Sequence, residues 1–343
     1  MSDIQKVCYL MWDEMSLDSQ VYYDEKGDKI IGFEDWGNVR SNKFADHVLV
    51  FTLQGIQRKW MIPVSYNFAK SCTSAKQLRR CIIEIVEAVT AAGFEIVATV
   101  SGQGATNVAC INNFLAESEA ICLAEGKQFM AISGQYIIPL YDPPHLLKGM
   151  RNNFLNKDIE IIFPNEMNEE SNAKEHYRKI KKLVITNDFI KEIEELKKNR
   201  QVPLLKEEEK YFASWSTLEL VYDIDNTSMY TTRKQLTKVH DGHIKHPKIR
   251  KMRVNVAAQT LSATVAGFIR FLTCINGSIT TVHGPKSVPI TDGISTAVVV
   301  QFLNNLFDSV NGSKHQNKRD RNDLRREVND TSVHMLFCNS WIV

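Results

Sequence analysis

The stretch that most constrains this chain is residues 7–17, VCYLMWDEMSL. An apolar run from Val7 to Trp12 leads straight into two acids, Asp13 and Glu14. The run is rich in large apolar side chains and too short for a helix of its own, which predicts a buried strand. A buried strand that ends on a carboxylate sets a charge where desolvation is costly. A divalent metal at the sheet's edge would make that tolerable. The plain alternative is an acid that leaves the sheet into water. Side chains alternate along a strand, so Glu14 is expected on the opposite side from Asp13, facing out or pairing with a base.

With 343 residues, 43% hydrophobic and 24% charged, the chain can bury sizeable cores. That length suggests two domains, or one with a large insertion. A net charge of +2 gives no global nucleic-acid signature, so any basic surface must be local. The local candidates are residues 234–251 (KQLTKVHDGHIKHPKIRK) and 314–326 (KHQNKRDRNDLRR), and each also reads as a solvated face. Seven cysteines without a CxxC pair fit the reduced thiols of cytosol or nucleus, not a disulfide scaffold or a zinc site. No apolar run is expected to span a bilayer, and no signal-peptide core precedes the first strand.

In chain order, residues 19–23 and 30–33 flank Gly27-Asp28 as a hairpin. Residues 47–56 are a central strand, and 60–68, with Pro63, an edge strand or broken extension. Residues 74–92 are a helix capped by Ser74 and ended by Gly93, with Leu78, Cys81, Ile82, Ile85, Val86 and Val89 on its inner face. A buried strand over 94–101 then ends in Gly102-Gln103-Gly104. A helix over 107–115, a strand over 136–140 and a helix over 145–155 follow. Beyond residue 155 come an acidic loop (166–172), a charged helix (173–200), a helix around Trp215 (211–222), one long helix (252–275), a polar loop (276–293) and a last helix (294–310).

Three antiparallel strands followed by alternating helices and strands is the ribonuclease-H-like arrangement, an α/β fold with a mixed sheet. Residues 156–312 form a large, mostly α-helical unit without that strand pattern. In the ribonuclease-H-like fold, carboxylates at the ends of the first and fourth strands meet at a metal pair. Here the first strand ends at Asp13 and the fourth at Gly102, which has no side chain.

Seven stretches occur in order: WDEMSL (12–17), GFEDWG (32–37), LQGIQRKWMIPVSYNF (53–68), GFEIVATVSGQGATN (93–107), LYDPPHLLKGMRNNFL (140–155), KMRVNVAAQTLSATVA (251–266) and FLNNLFDSVN (302–311). Together they resemble the P-element-type DNA transposases, including their vertebrate THAP-domain relatives. The resemblance covers nearly the whole chain. It implies a ribonuclease-H-like transposase domain (1–155), a helical GTP-binding insertion domain (156–312), and a basic linker with the start of the closing catalytic part (313–343). The expectation is that the zinc-dependent THAP domain, the dimerisation segment and most of that closing part are absent.

The family cuts and joins DNA by phosphoryl transfer with two Mg²⁺ or Mn²⁺ ions held by three acids. Asp13 matches the first acid, as catalytic residue and metal ligand. The second acid is expected where Gly102 stands, which implies little or no cleavage; Glu95, the nearest acid, is at the strand's far end. Glu327 is the candidate for the third, with Asp330 beside it. In YDPPH, Asp142 and His145 have two compatible readings: a capped helix start, or a site group opening a helix that carries Lys148 and Arg151 to a DNA phosphate. No GxxxxGK[ST] loop occurs, so GTP binding is implied by resemblance alone. Asp308 and Asp223 are the acids for the guanine N–H groups, and Lys238 or Lys251 the base for the phosphates; each also reads as an ordinary surface or capping residue. The resemblance implies DNA (transposon ends) and GTP as partners, a nuclear setting, no membrane and a possible homo-oligomer. The alternative is a domesticated, non-enzymatic DNA- or protein-binding factor.

Overall fold

The computed structural model describes residues 3–57, 60–125, 129–162, 182–184, 195, 198, 211–229, 233–275 and 277–310. The chain divides into two compact units, Met1–Leu146 and Leu147–Val343.

The first unit opens with a short helix α1 (Asp3–Lys6) and β1 (Val7–Ser16). The expected hairpin forms as a separate two-stranded sheet, β2 (Tyr22–Asp24) and β3 (Lys29–Ile31). Then come β4 (Phe33–Asp35), β5 (Arg40–Phe44), β6 (His47–Gly55), β7 (Met61–Ala69), α2 (Ala75–Ala91), β8 (Glu95–Ser101), α3 (Ala105–Glu117), α4 (Glu119–Glu125), β9 (Met130–Ile132) and β10 (Gln135–Tyr141). Eight strands make one mixed sheet, ordered β5-β4-β7-β6-β1-β8-β10-β9. β1 runs antiparallel to β6 and parallel to β8, and β10 runs parallel to β8.

The apolar run of residues 7–12 forms the expected buried strand, and within it burial alternates. Cys8, Leu10 and Trp12 point into the core, while Asp13 is exposed. They pack with Leu49, Phe51 and Leu53 from β6 and with α2. The six apolar residues expected on the inner face of α2 are the ones it buries. Ser74 caps it, its hydroxyl accepting from the Gln77 N–H at 3.2 Å. β1 does not stop at Asp13. It continues to Ser16 because β6 keeps pairing with it as far as His47. β7 lies inside the strand order, but β4 meets it only at Phe68, so Met61, Ile62, Val64 and Tyr66 stay exposed like an edge.

In the second unit the sequence-based expectation missed the strands. β11 (Ile159–Ile162), β12 (Lys182–Val184) and β13 (Tyr211–Ala213) form a three-stranded sheet. Residues 211–213 therefore pair as a strand before α6 (Trp215–Thr227) begins at its Ser214 cap. The polar loop expected over 276–293 contains a hairpin, β14 (Ile279–Thr281) and β15 (Gly284–Lys286), with Gly284 supplying the positive φ of 103°. These strands are three or four residues long, too short for a two-residue period to show.

The single helix expected over 252–275 is two helices, α8 (Val254–Thr260) and α9 (Ala263–Cys274), separated by Leu261-Ser262. Ser262 caps α9 by accepting from the Val265 N–H. By length and composition Val254–Cys274, with mean hydropathy 1.2, is apolar enough to cross a membrane, contrary to the expectation of no such run. Half of it is buried within the protein, where Ala257, Leu261, Val265, Ala266, Ile269 and Leu272 join the second core. α10 (Ile290–Val310) packs on α9 closely enough that a Cβ on Gly293 would lie 2.1 Å from Thr273 Oγ1. Residues 163–181, the rest of the expected 173–200 helix apart from 182–184, 195 and 198, and 311–343 lie outside the described residues.

Removing the Ser262 cap should be felt in the second unit. Ser262→Ala is expected to lower stability by about 1 kcal/mol, measured by urea denaturation against Ser216→Ala as an exposed reference.

Candidate functional site

The ends of β8 and β10 meet the middle of β1 at one corner of the first unit. The β1–β8 register runs to Trp12↔Ser101, so Asp13 and Gly102 follow as neighbours across the pair. β10 reaches Tyr141↔Ser101, and the Asp142 N–H donates to the Ser101 carbonyl at 2.8 Å. Gly102 thus stands between two aspartates, Asp13 and Asp142, at the edge of a cavity of about 340 Å³ lined also by Met11, Thr52 and His145.

The corner is held by one asparagine. The Trp12 indole N–H donates to Asn107 Oδ1 at 3.1 Å, and Asn107 Nδ2 donates to the Gly102 carbonyl at 2.8 Å. The turn 102–104 is thereby pinned to the buried end of β1 as α3 starts. Asp13 Oδ1 accepts from the Glu14 N–H at 2.9 Å. Glu14 faces the other side, as alternation requires, but neither outward nor onto a base. Its Oε1 accepts from the Thr73 N–H (2.9 Å) and hydroxyl (2.7 Å), just before the α2 cap.

Asp142 acts as a helix cap. Its Oδ2 accepts from the His145 N–H at 3.1 Å and meets His145 Nδ1 at 2.5 Å, as α5 (Pro143–Phe154) begins. A carboxylate only accepts, so the ring donates from Nδ1 and keeps its lone pair on Nε2. A Cβ built on Gly102 would lie 3.6 Å from His145 Cδ2 and 3.8 Å from Nε2, which is ordinary contact. A side chain can therefore start at 102 without its Cβ clashing.

A two-metal centre needs three acids, and the described residues do not fit one. Gly102 offers no donor, and among the described residues no three His, Cys, Asp or Glu side chains are grouped to hold a metal ion. Glu327 and Asp330 lie outside the described residues.

The expected DNA contact at Arg151 is corrected by its burial. Arg151 is fully buried, its Nη2 donating to the carbonyls of Lys251 (2.8 Å) and Arg250 (3.4 Å) and its Nε to Asn152 Oδ1 (2.9 Å). Leu147, Arg151 and Leu155 are spaced by one helical turn, so the guanidinium follows that buried stripe inward. Lys148, off that stripe, remains half-exposed. Near Arg151 lies a feature the sequence did not suggest: two histidines cap α7 (Asp241–Ile244) reciprocally. His240 Nδ1 accepts from the Gly242 N–H, and His243 Nδ1 accepts from the His240 N–H. His243 Nε2, the protonated nitrogen by elimination, donates to Gln259 Oε1 at 2.8 Å. Burial holds the His243 pKa below its ordinary value.

The four residues expected to meet a nucleotide have different settings. Asp223 is ion-paired with Lys286. Lys238 and Lys251 are exposed. Asp308 is buried near the end of α10, where Asn304 Nδ2 donates to it at 3.0 Å. The second unit also holds a cavity of about 510 Å³ lined by Ile224, Asp225, Gln235, Phe268, Phe271 and other apolar residues. None of Asp223, Lys238 and Asp308 lines it. Its acid, Asp225, already accepts from the Gln235 and Leu236 N–H groups.

Mixed strand order, converging strand ends and a following unit rich in helices define a ribonuclease-H-like fold carrying an insertion. Residues 1–115 match the family model "TNP-like, RNase H N-terminal domain", and residues 190–323 match "TNP-like, GTP-binding insertion domain". These spans together take in well over half of the sequence, and the chain belongs to the P-element-type transposase family. It is similar in structure to the "Drosophila P element transposase strand transfer complex", with a TM-score of 0.64 over 99% of this chain at 18% identity. It spans 58% of that chain's length, and at this identity the likeness is one of fold. No curated protein sequence matches.

Two outcomes follow for the Arg151 region. Arg151→Ala is expected to cost about 3 kcal/mol, because it removes a buried charge that satisfies two carbonyls, whereas Lys148→Ala leaves urea denaturation almost unchanged. A folded-state His243 pKa below the unfolded value means the unfolded chain binds more protons. Stability should therefore fall as pH drops below the ordinary histidine range, near 6.5, and His243→Gln should flatten that slope in a series of denaturation curves.

Proposed function

We propose that this chain is a P-element-type transposase core that still engages DNA and GTP but is impaired in metal-dependent strand cleavage and transfer. The observation that carries the proposal is Gly102, flanked by Asp13 and Asp142 where β8 and β10 end beside β1. Divalent hard cations need anionic oxygens, and a glycine in the middle position supplies none. The chain's own residues retain the scaffold around the gap: Asn107 holds the turn, Asp142 orients His145, and Asp13 remains exposed beside the cavity.

For DNA, Lys148 is the candidate phosphate contact, because it is half-exposed where Arg151 is buried. For GTP, Asp308 is the favoured acid. Asp223 is already ion-paired with Lys286, which leaves Asp308, buried near the end of α10, as the acid of choice. Lys238 is exposed and free to reach a phosphate. Work on DNA would place the chain in the nucleus. A domesticated binding factor that never cleaves would share the Gly102 gap, so the tests address binding and metal separately.

Calorimetry with Mn²⁺ on the chain, on Gly102→Asp and on Gly102→Asp/Asp13→Ala decides the metal question. The expected result is binding by Gly102→Asp alone, with stability within about 1 kcal/mol of the parent. Binding by the unaltered chain through Asp13 would overturn the impairment. Silence from every variant would remove the ancestral metal site from the account. For nucleotide, Asp308→Asn should weaken binding of a fluorescent GTP analogue about tenfold or more, some 1.4 kcal/mol. Asp223→Asn should lower stability rather than affinity. Lys148→Ala should reduce the slope of log affinity for duplex DNA against log salt by about one; an unchanged slope would exclude that contact.

A further inference from the structure

A second cluster of reactive groups lies on the opposite side of the sheet from Asp13, where β6 starts. Cys72 is exposed, and its Sγ sits 3.9 Å from His47 Nε2, within reach of a sulfur hydrogen bond. His47 Nδ1 meets Asp46 Oδ1 at 2.7 Å. As the carboxylate only accepts, the imidazole donates from Nδ1 and turns a bare Nε2 lone pair toward the thiol. Nucleophile, base and orienting acid stand in the order that activates a thiol.

The arrangement is built by the backbone. Asp46 also accepts from Lys70 Nζ (3.0 Å) and the Ser71 N–H (2.5 Å), which folds residues 70–72 over it. His47, Lys70 and Ser71 together hold the Asp46 carboxyl well below the usual carboxylate range, so it stays anionic. Ser71 is a non-glycine residue at φ 67°, a left-handed conformation held only by surrounding contacts. That turn delivers Cys72 to the imidazole. On the next residues Thr73 holds Glu14 and Ser74 caps α2, so the thiol's neighbours are anchored.

We infer that Cys72 is a peroxide-reactive thiol, with His47 as its base and Asp46 as the residue that positions His47. His47 Nε2 takes the thiol proton as the sulfur attacks one oxygen of hydrogen peroxide. The S–O bond forms and the O–O bond breaks. The departing hydroxide takes the proton from His47 and leaves as water. Cys72 is oxidised by two electrons to the sulfenic acid, and the peroxide is reduced. Nothing in this step uses Asp13, Gly102 or a nucleotide, so it stands apart from the transposase proposal.

The test treats the full chain with hydrogen peroxide in the presence of dimedone, which traps sulfenic acids, and reads adducts at Cys72 and Cys274 by peptide mass spectrometry. Both thiols are exposed, so Cys274 is the internal reference. Cys72 is expected to be trapped about a hundredfold faster, the lower end of base assistance, and 8 M urea should equalise the two. His47→Gln should bring Cys72 down to the reference rate. Asp46→Asn, which frees the ring to turn, should do most of the same and serves if His47→Gln fails to fold. Equal trapping in the unaltered chain overturns the inference, as does a folded His47→Gln chain that keeps the Cys72 rate.

Discussion

The parallel pairing of β1 with β8 is the constraint on which the first unit depends. It buries Cys8, Leu10 and Trp12 against α2, and it sets which residues leave the sheet side by side. A one-residue slip would turn every one of those side chains to the other face. The Trp12–Asn107–Gly102 chain of hydrogen bonds then ties the turn after β8 to the buried end of β1. A buried indole N–H needs an acceptor, and the one it finds is the residue that also holds the corner. Core packing and site geometry are therefore one problem here.

The same corner shows how little chemistry a fold guarantees. The strands, the turn and the Asp142–His145 cap are all in place, yet the position between two aspartates carries no side chain. Family membership gives the chain its scaffold and its cavity. Whether that cavity works depends on ligands at single positions, and an intact core does not require them. The second unit makes the complementary point. Its buried cation, Arg151, answers main-chain carbonyls, and its histidines cap a helix of four residues. Both residue types would pass for binding groups in a basic stretch, and both serve the core.

Much of the first unit was legible in the residues. The short apolar run at 7–12, the Ser74 cap, the six buried positions of α2 and the hairpin at Gly27-Asp28 are local patterns, and local patterns survive folding when they agree with it. The gap at Gly102 could likewise be placed from the end of β8, whereas β1 runs past Asp13 to Ser16. The short strands of the second unit were not legible, because β13 and β14 have three residues each and owe their existence to partners far along the chain. The break at Leu261-Ser262 was hidden for another reason: apolar periodicity runs straight through it, and only the Ser262 cap marks it.

What the sequence determined by itself was which side chains must be buried and where charge meets the sheet's end, since hydrophobic period and turn chemistry are properties of neighbours in the chain. What the tertiary structure decided was who faces whom. It set Gly102 between Asp13 and Asp142, gave Glu14 to Thr73, took Arg151 out of solvent and brought Cys72 to His47. Those pairings span up to a hundred residues, as between Arg151 and Lys251. They arise because a buried polar group must find its partner wherever packing happens to offer one.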